Sequence, residues 1–142
     1  MNTTVKNILN PGAYSNPINI VLLILRLSVG VLMLTHGWGK FVTLFGAAPI
    51  QFADPLGVGA AASLSLTVFA EVLCSILLII GLGSRLATIP LIITMFVAIF
   101  IIHESDGFGR QELPLLYATI YIAIALLGAG KYSVDYLITK KK

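Results

Sequence analysis

The chain has 142 residues, 58% of them hydrophobic and only 11% charged, with a mean hydropathy of +0.98 and a formal net charge of +3. A water-soluble domain needs far more surface charge, so these figures exclude that class. The basic surplus comes largely from the terminal lysine triplet, where anionic lipid would attract it, and nothing else supports a nucleic-acid partner.

Residues 1–17 are polar, and no small-residue cleavage site follows the first apolar run at signal-peptide distance, so they read as a retained tail. Apolar runs follow at 18–38, 63–82, 86–103 and 113–129. A bilayer core about 30 Å thick takes about 20 helical residues per crossing, and strands average only about 5 or 6, so these runs are four expected transmembrane helices. The connector 42–62 is long, apolar and rich in Gly and Pro, and is expected on the outer surface of the bundle, as a loop skimming the headgroups or, alternatively, an interfacial lid. Gly83-Ser84-Arg85 joins the second and third runs as a tight hairpin. Pro114 is expected in the first turn of the fourth helix, and Gly81, Gly83, Gly128 and Gly130 stand where helix C-termini favour glycine.

The expected fold is therefore all-α: an integral membrane four-helix bundle, up-down-up-down, with a polar tail over 1–17, the bundle over 18–130 and a basic tail over 131–142. Four crossings put Lys6, Arg85, Lys131, Lys140, Lys141 and Lys142 on one side, against Lys40 and Arg110 on the other. By the positive-inside rule both termini face the cytoplasm, and Asp54, Glu104, Asp106 and Glu112 gather externally.

Polar groups inside the apolar runs are the functional candidates. Counting 1.5 Å per residue puts Arg26 about 12 Å in from the cytoplasmic end and Glu71 about 12 Å below the external end, a depth difference of about 6 Å. A lone charge at that depth costs several kcal/mol, so the two are expected to pair. The only two histidines, His36 and His103, reach the external boundary together, beside Lys40, Glu104, Asp106, Arg110, Gln111 and Glu112. Helical periodicity sets Arg26, Gly30, Met33, Gly37 and Lys40 on one stripe, with His36 flanking it. Trp38 fits an interfacial aromatic belt. The single cysteine, Cys74, excludes an intramolecular disulfide and a Cys-x-x-Cys redox pair.

Arg26-Leu27, His36-Gly37-x-x-Lys40, Glu71, Gly81-Leu-Gly83-x-Arg85, His103, Glu112 and Gly128-x-Gly130 with Ser133 and Asp135, in that order, resemble the DoxX family of small four-helix membrane proteins. The resemblance implies a multi-pass protein of the bacterial inner membrane, with some relatives associated with thiosulfate:quinone oxidoreductase. The expected function is a quinone-interacting subunit of a membrane oxidoreductase. Its catalytic candidates are Glu71, His36, His103 and Glu112, and its ligand-binding candidates Arg26, Lys40 and Trp38. The histidines would hydrogen-bond the head group, Glu71 or Glu112 would exchange protons, and Arg26 would hold Glu71 ionised. The alternative is a non-catalytic accessory, assembly or transport component. Expected partners are the lipid bilayer, an oxidoreductase subunit and a second copy of the chain. Quinone is the expected cofactor; no haem, flavin or metal is expected.

Overall fold

A computed structural model describes residues 7–140, so Lys6, Lys141 and Lys142 lie outside the described residues. Within them the chain is all-helical, without strands. The first helix, α1, spans Asn16–Leu44, with Pro17 in its first turn, where a missing N–H costs no hydrogen bond. Helix α2 spans Ala60–Ile80, widens to a π-turn over Phe69–Cys74, and stops on Gly81 in the left-handed conformation, φ 73°. Helix α3, Ser84–Ile102, ends in a second π-segment, Ala98–Ile102, closed by the His103 N–H on the Ala98 carbonyl at 2.9 Å. Helix α4 spans Phe108–Leu127 and a short α5 spans Val134–Lys140.

Helices α1, α2 and α3 are each long and apolar enough to cross a membrane. In α4, Arg110, Gln111 and Glu112 occupy the first turns and dilute the apolar run behind them. This helix starts five residues before the expected Leu113, so Pro114 lies in its interior. The Arg110 carbonyl, four residues back, thereby loses its helical donor.

The packed interior joins Val29 and Met33 of α1, Cys74 and Leu78 of α2, Leu91 of α3 and Tyr121 of α4. Cys74 is a buried free thiol within that cluster. The outward faces are equally oily: Ile24, Leu32, Leu73, Ile93, Phe100 and Leu126 are all exposed. A surface this apolar is compatible with lipid and incompatible with water.

Helices α1 and α2 run antiparallel along a seam of small residues. A Cβ at Gly30 would sit 2.5 Å from the Ile79 side chain, and one at Gly37 would sit 2.9 Å from the Glu71 Cβ. Gly37 therefore brings the α1 backbone against the turn that carries Glu71. The connector 45–59 folds back on this end of the bundle, where Ile50 and Phe52 pack on Leu64, Val68 and Val72. Asp54 anchors it: its carboxylate accepts the Val58 and Gly59 amides at 3.0 and 2.7 Å and the Ser63 hydroxyl at 2.7 Å. These bonds, the Ser63 bond first, hold the Asp54 carboxyl below the usual carboxylate value.

The expected Arg26–Glu71 pair does not form. The Arg26 guanidinium, 1% exposed, donates to the carbonyls of Leu78 and Ile79 at the end of α2 and of Ala129 and Tyr132 beyond α4. Carbonyls in the last turn of a helix have no intrahelical donor, and a forked guanidinium can serve several at once. Asp135 supplies the compensating charge and binds the Gly83 and Ser84 amides that open α3, at 2.7 and 3.1 Å. Burial pushes the Asp135 carboxyl up from its ordinary value, while those two amides and the Arg26 charge oppose the push. Arg85 caps α4 in the same manner, donating to Ala125 and Leu127. Arg26 thus belongs to a lock at one end of the bundle, and Glu71 to the other end.

Candidate functional site

Glu71 faces Lys40. The ammonium lies 2.6 Å from both carboxylate oxygens, with the Glu71 side chain 5% exposed and that of Lys40 32% exposed. The pair exists because α1 does not stop at Trp38 but continues to Leu44, which keeps Lys40 on the inward stripe one helical turn beyond Gly37. Along that stripe Arg26, Gly30, Met33 and Gly37 are all buried, as the periodicity predicted. The π-turn widens α2 at the residue that bears the carboxylate; such single wide turns are frequent at functional sites.

The ion pair opens into a chamber of about 320 Å³, within the range of small-molecule sites. His36, Lys40, Glu71, His103, Arg110 and Tyr117 supply its polar wall. The His36 ring meets Tyr117 edge-on, with centroids 6.1 Å apart. His103 terminates the π-segment of α3. Its Nδ1 lies 2.7 Å from the Asp106 carboxylate, and Gln111 donates to its backbone carbonyl at 2.8 Å. With Nδ1 engaged by a carboxylate, the ring is oriented and Nε2 remains available to a ligand. A second cavity, about 260 Å³, lies against the same Lys40, Glu71 and His103, with Phe52 and Pro55 of the connector in its wall. The connector is therefore part of the site's enclosure as well as a surface loop.

Of the seven site residues expected from the sequence, four converge: His36, Lys40, Glu71 and His103. Three do not. Arg26 sits in the lock at the opposite end, among helix-end carbonyls. Glu112 is exposed on α4, outside the chamber wall. Trp38 is 61% exposed and stacks on Phe41 at 5.5 Å. Arg110 and Asp106, expected beside the histidines at the external end but not among the seven, and Tyr117, which was not singled out, complete the site. For Tyr117 a signal existed, because Tyr117 and Tyr121 stand one turn apart on the face of α4 that is buried. Among the described residues no three His, Cys, Asp or Glu side chains converge as a metal site.

The family model for DoxX matches residues 21–104, more than half of the chain. The chain belongs to the DoxX family. The match includes Arg26, His36, Lys40, Glu71, Arg85 and His103, and stops before α4. An uncharacterized Haemophilus influenzae protein is 31% identical over 82% of this DoxX-family chain and 90% of its own length. An uncharacterized membrane protein of Mycobacterium tuberculosis is 28% identical over 82% of this chain and 80% of its own. A candidate oxidoreductase of Bacillus subtilis, CatD, is 26% identical over 84% of this chain and 88% of its own. The inner membrane protein YqjF of Escherichia coli is 25% identical over 87% of this chain and 95% of its own length. No solved structure matches the chain. With its oily exterior and apolar helices, this DoxX-family member is a multi-pass protein of the bacterial inner membrane.

Proposed function

We propose that the chain is a quinone-interacting subunit of an inner-membrane oxidoreductase, with the quinone ring held in the chamber of His36, Lys40, Glu71 and His103. The observation that supports this reading is the Lys40–Glu71 ion pair at 2.6 Å, placed on the wall of a cavity that both histidines share. A quinone accepts two electrons and two protons; the electrons would come from a partner subunit. The chain's own residues bind the ring and handle protons. Lys40 is a donor for a carbonyl oxygen, and His36 and His103 line the same wall as further hydrogen-bonding groups. Glu71 is a carboxylate held in place by Lys40 and is the candidate group for proton exchange with the ring. The likeness to CatD, a candidate oxidoreductase, points the same way.

The same reading makes α4 the fourth crossing, in an up-down-up-down bundle. Arg85 and Lys131 sit at the end that holds the Arg26 lock, and Lys40 and Arg110 at the chamber end. The positive-inside rule then turns the lock to the cytoplasm and the chamber outward.

The test is quinone binding to protein purified in mild detergent. Wild-type protein is expected to carry or take up one quinone. Glu71→Gln is expected to fold but to lose turnover with the partner oxidoreductase; because it strands Lys40, the double change Lys40→Met with Glu71→Gln serves as the charge-neutral control for folding. If the wild-type protein binds no quinone while holding a stable partner protein, the reading is wrong and the accessory role takes its place. Full turnover in Glu71→Gln would overturn the proton role alone.

A further inference from the structure

A third space lies beside the site. Between α2 and α3, on the lipid side, an apolar groove of about 270 Å³ is walled by Leu66, Phe69 and Ala70 on one helix and by Pro90, Ile93 and Val97 on the other. Its two threonines offer no donors, because the hydroxyls of Thr67 and Thr94 turn back onto the Ser63 and Pro90 carbonyls at 2.8 and 2.9 Å. The exposed Leu66, Phe69 and Ile93 at its rim show that it opens sideways into the bilayer.

The groove and the polar site adjoin. Pro55, Thr67, Thr94 and Val97 line the groove and also the cavity that reaches Lys40, Glu71 and His103. That cavity in turn shares Lys40, Glu71, Ala98 and His103 with the chamber. The three spaces lie in series, oily at the lipid end and charged at the inner end, with common residues in their dividing walls. The backbone explains the opening: Pro90 removes a helical hydrogen bond from α3, and the π-turn at Phe69–Cys74 broadens the facing stretch of α2.

We infer that this groove holds the prenyl tail of the quinone, which enters sideways from the lipid between α2 and α3 and leaves its ring beside Lys40, Glu71 and His103. The inference rests on the quinone reading of the chamber. A tail and a ring joined in one amphipathic molecule match a path whose polarity changes once along its length, and the tail need never leave an apolar medium.

The test uses the purified full chain in lipid nanodiscs and a benzoquinone whose decyl chain ends in a diazirine. Irradiation is expected to attach the chain end to groove residues such as Leu66, Phe69 or Ile93, located by mass spectrometry. Excess unlabelled decyl-benzoquinone should remove that label. Ile93→Trp, which fills the groove from its exposed rim, should lose the label, whereas Ile89→Trp, on the same lipid-facing helix but outside the groove wall, should keep it. Binding of the same ring without a chain is measured in parallel. If the tailless ring binds and the label falls on α1 or α4, or only in residues that competitor does not protect, the tail path is overturned while the chamber stands. Label displaced by added phospholipid but not by decyl-benzoquinone makes the groove a lipid seat and equally overturns it. If the tailless ring does not bind, the chamber reading falls and this inference with it.

Discussion

Arg26 and Lys40 show how two cations on one helix stripe divide their work. The periodicity of α1 made the stripe legible, because Gly30, Met33 and Gly37 recur at helical spacing between them. Which acceptor each cation meets was not legible. The acceptors of Arg26 are backbone carbonyls at the ends of α2 and α4, which carry no mark in the sequence, and its counter-charge comes from Asp135 in a later helix. Depth alone pairs the two ions whose depths agree, but helix ends are themselves negative sites and hold the Arg26 guanidinium instead. A consequence distinguishes the two ends of the molecule. Arg26→Lys replaces a fork that serves four carbonyls by a single point charge, and is expected to lower stability by about 1.5–3 kcal/mol. Thermal unfolding in detergent measures this. Ring binding by the folded protein should be unchanged; a loss of binding without a loss of stability would return Arg26 to the chamber.

Among the elements, α2 departs furthest from what an apolar run can reveal. The run itself announces a helix, but a π-turn depends on one extra residue being accommodated by neighbours, and the neighbour here is Gly37 of α1, against which Glu71 packs. Gly37→Ala would place a Cβ 2.9 Å from both the Glu71 Cβ and the Val72 Cγ2. It should cost about 1–3 kcal/mol by overpacking and loosen the Lys40–Glu71 contact. Gly39, with nothing within 4 Å of its Cβ position, is the control, and Gly39→Ala should be neutral or stabilising by up to about 1 kcal/mol. Equal melting temperatures for the two variants would remove the seam argument. The connector 45–59 carries a pH dependence of its own. The Asp54 carboxyl is held below its ordinary value of 3.8, so its bonds to Val58, Gly59 and Ser63 favour the folded connector above that value and are lost as pH falls through the lowered one. Hydrogen exchange at the Val58 and Gly59 amides, relative to intrinsic rates, should therefore show protection lost only in strong acid, and Asp54→Asn should lack that acid step. The sequence suggested a loop skimming the surface; the packing of Ile50 and Phe52, and the place of Phe52 and Pro55 in the cavity wall, were beyond it because both depend on where the loop returns.

At the scale of the molecule, the membrane class, the helical architecture and the opposed polar ends could all be read from hydropathy and the placement of charges. Boundaries could not: α1 and α4 run past Lys40 and Arg110, since charged side chains near a helix end can reach the interface while the backbone remains helical. The expected topology is open to direct measurement. Single cysteines introduced at the exposed Ser105 and Ser15, with Cys74 replaced by alanine, should react with a membrane-impermeant maleimide from the periplasmic side at Ser105→Cys and only after the membrane is breached at Ser15→Cys. The reverse pattern would invert the bundle. The Arg26 lock also bears on how such a bundle is assembled. Its carbonyls from Ala129 and Tyr132 and the carboxylate of Asp135 are synthesised only after α4, whereas the guanidinium enters the bilayer with α1. Until translation has passed Asp135, the nascent α1 carries a positive charge without its full complement of acceptors, so the Arg26 end of the bundle can close only after α4 and α5 have been made.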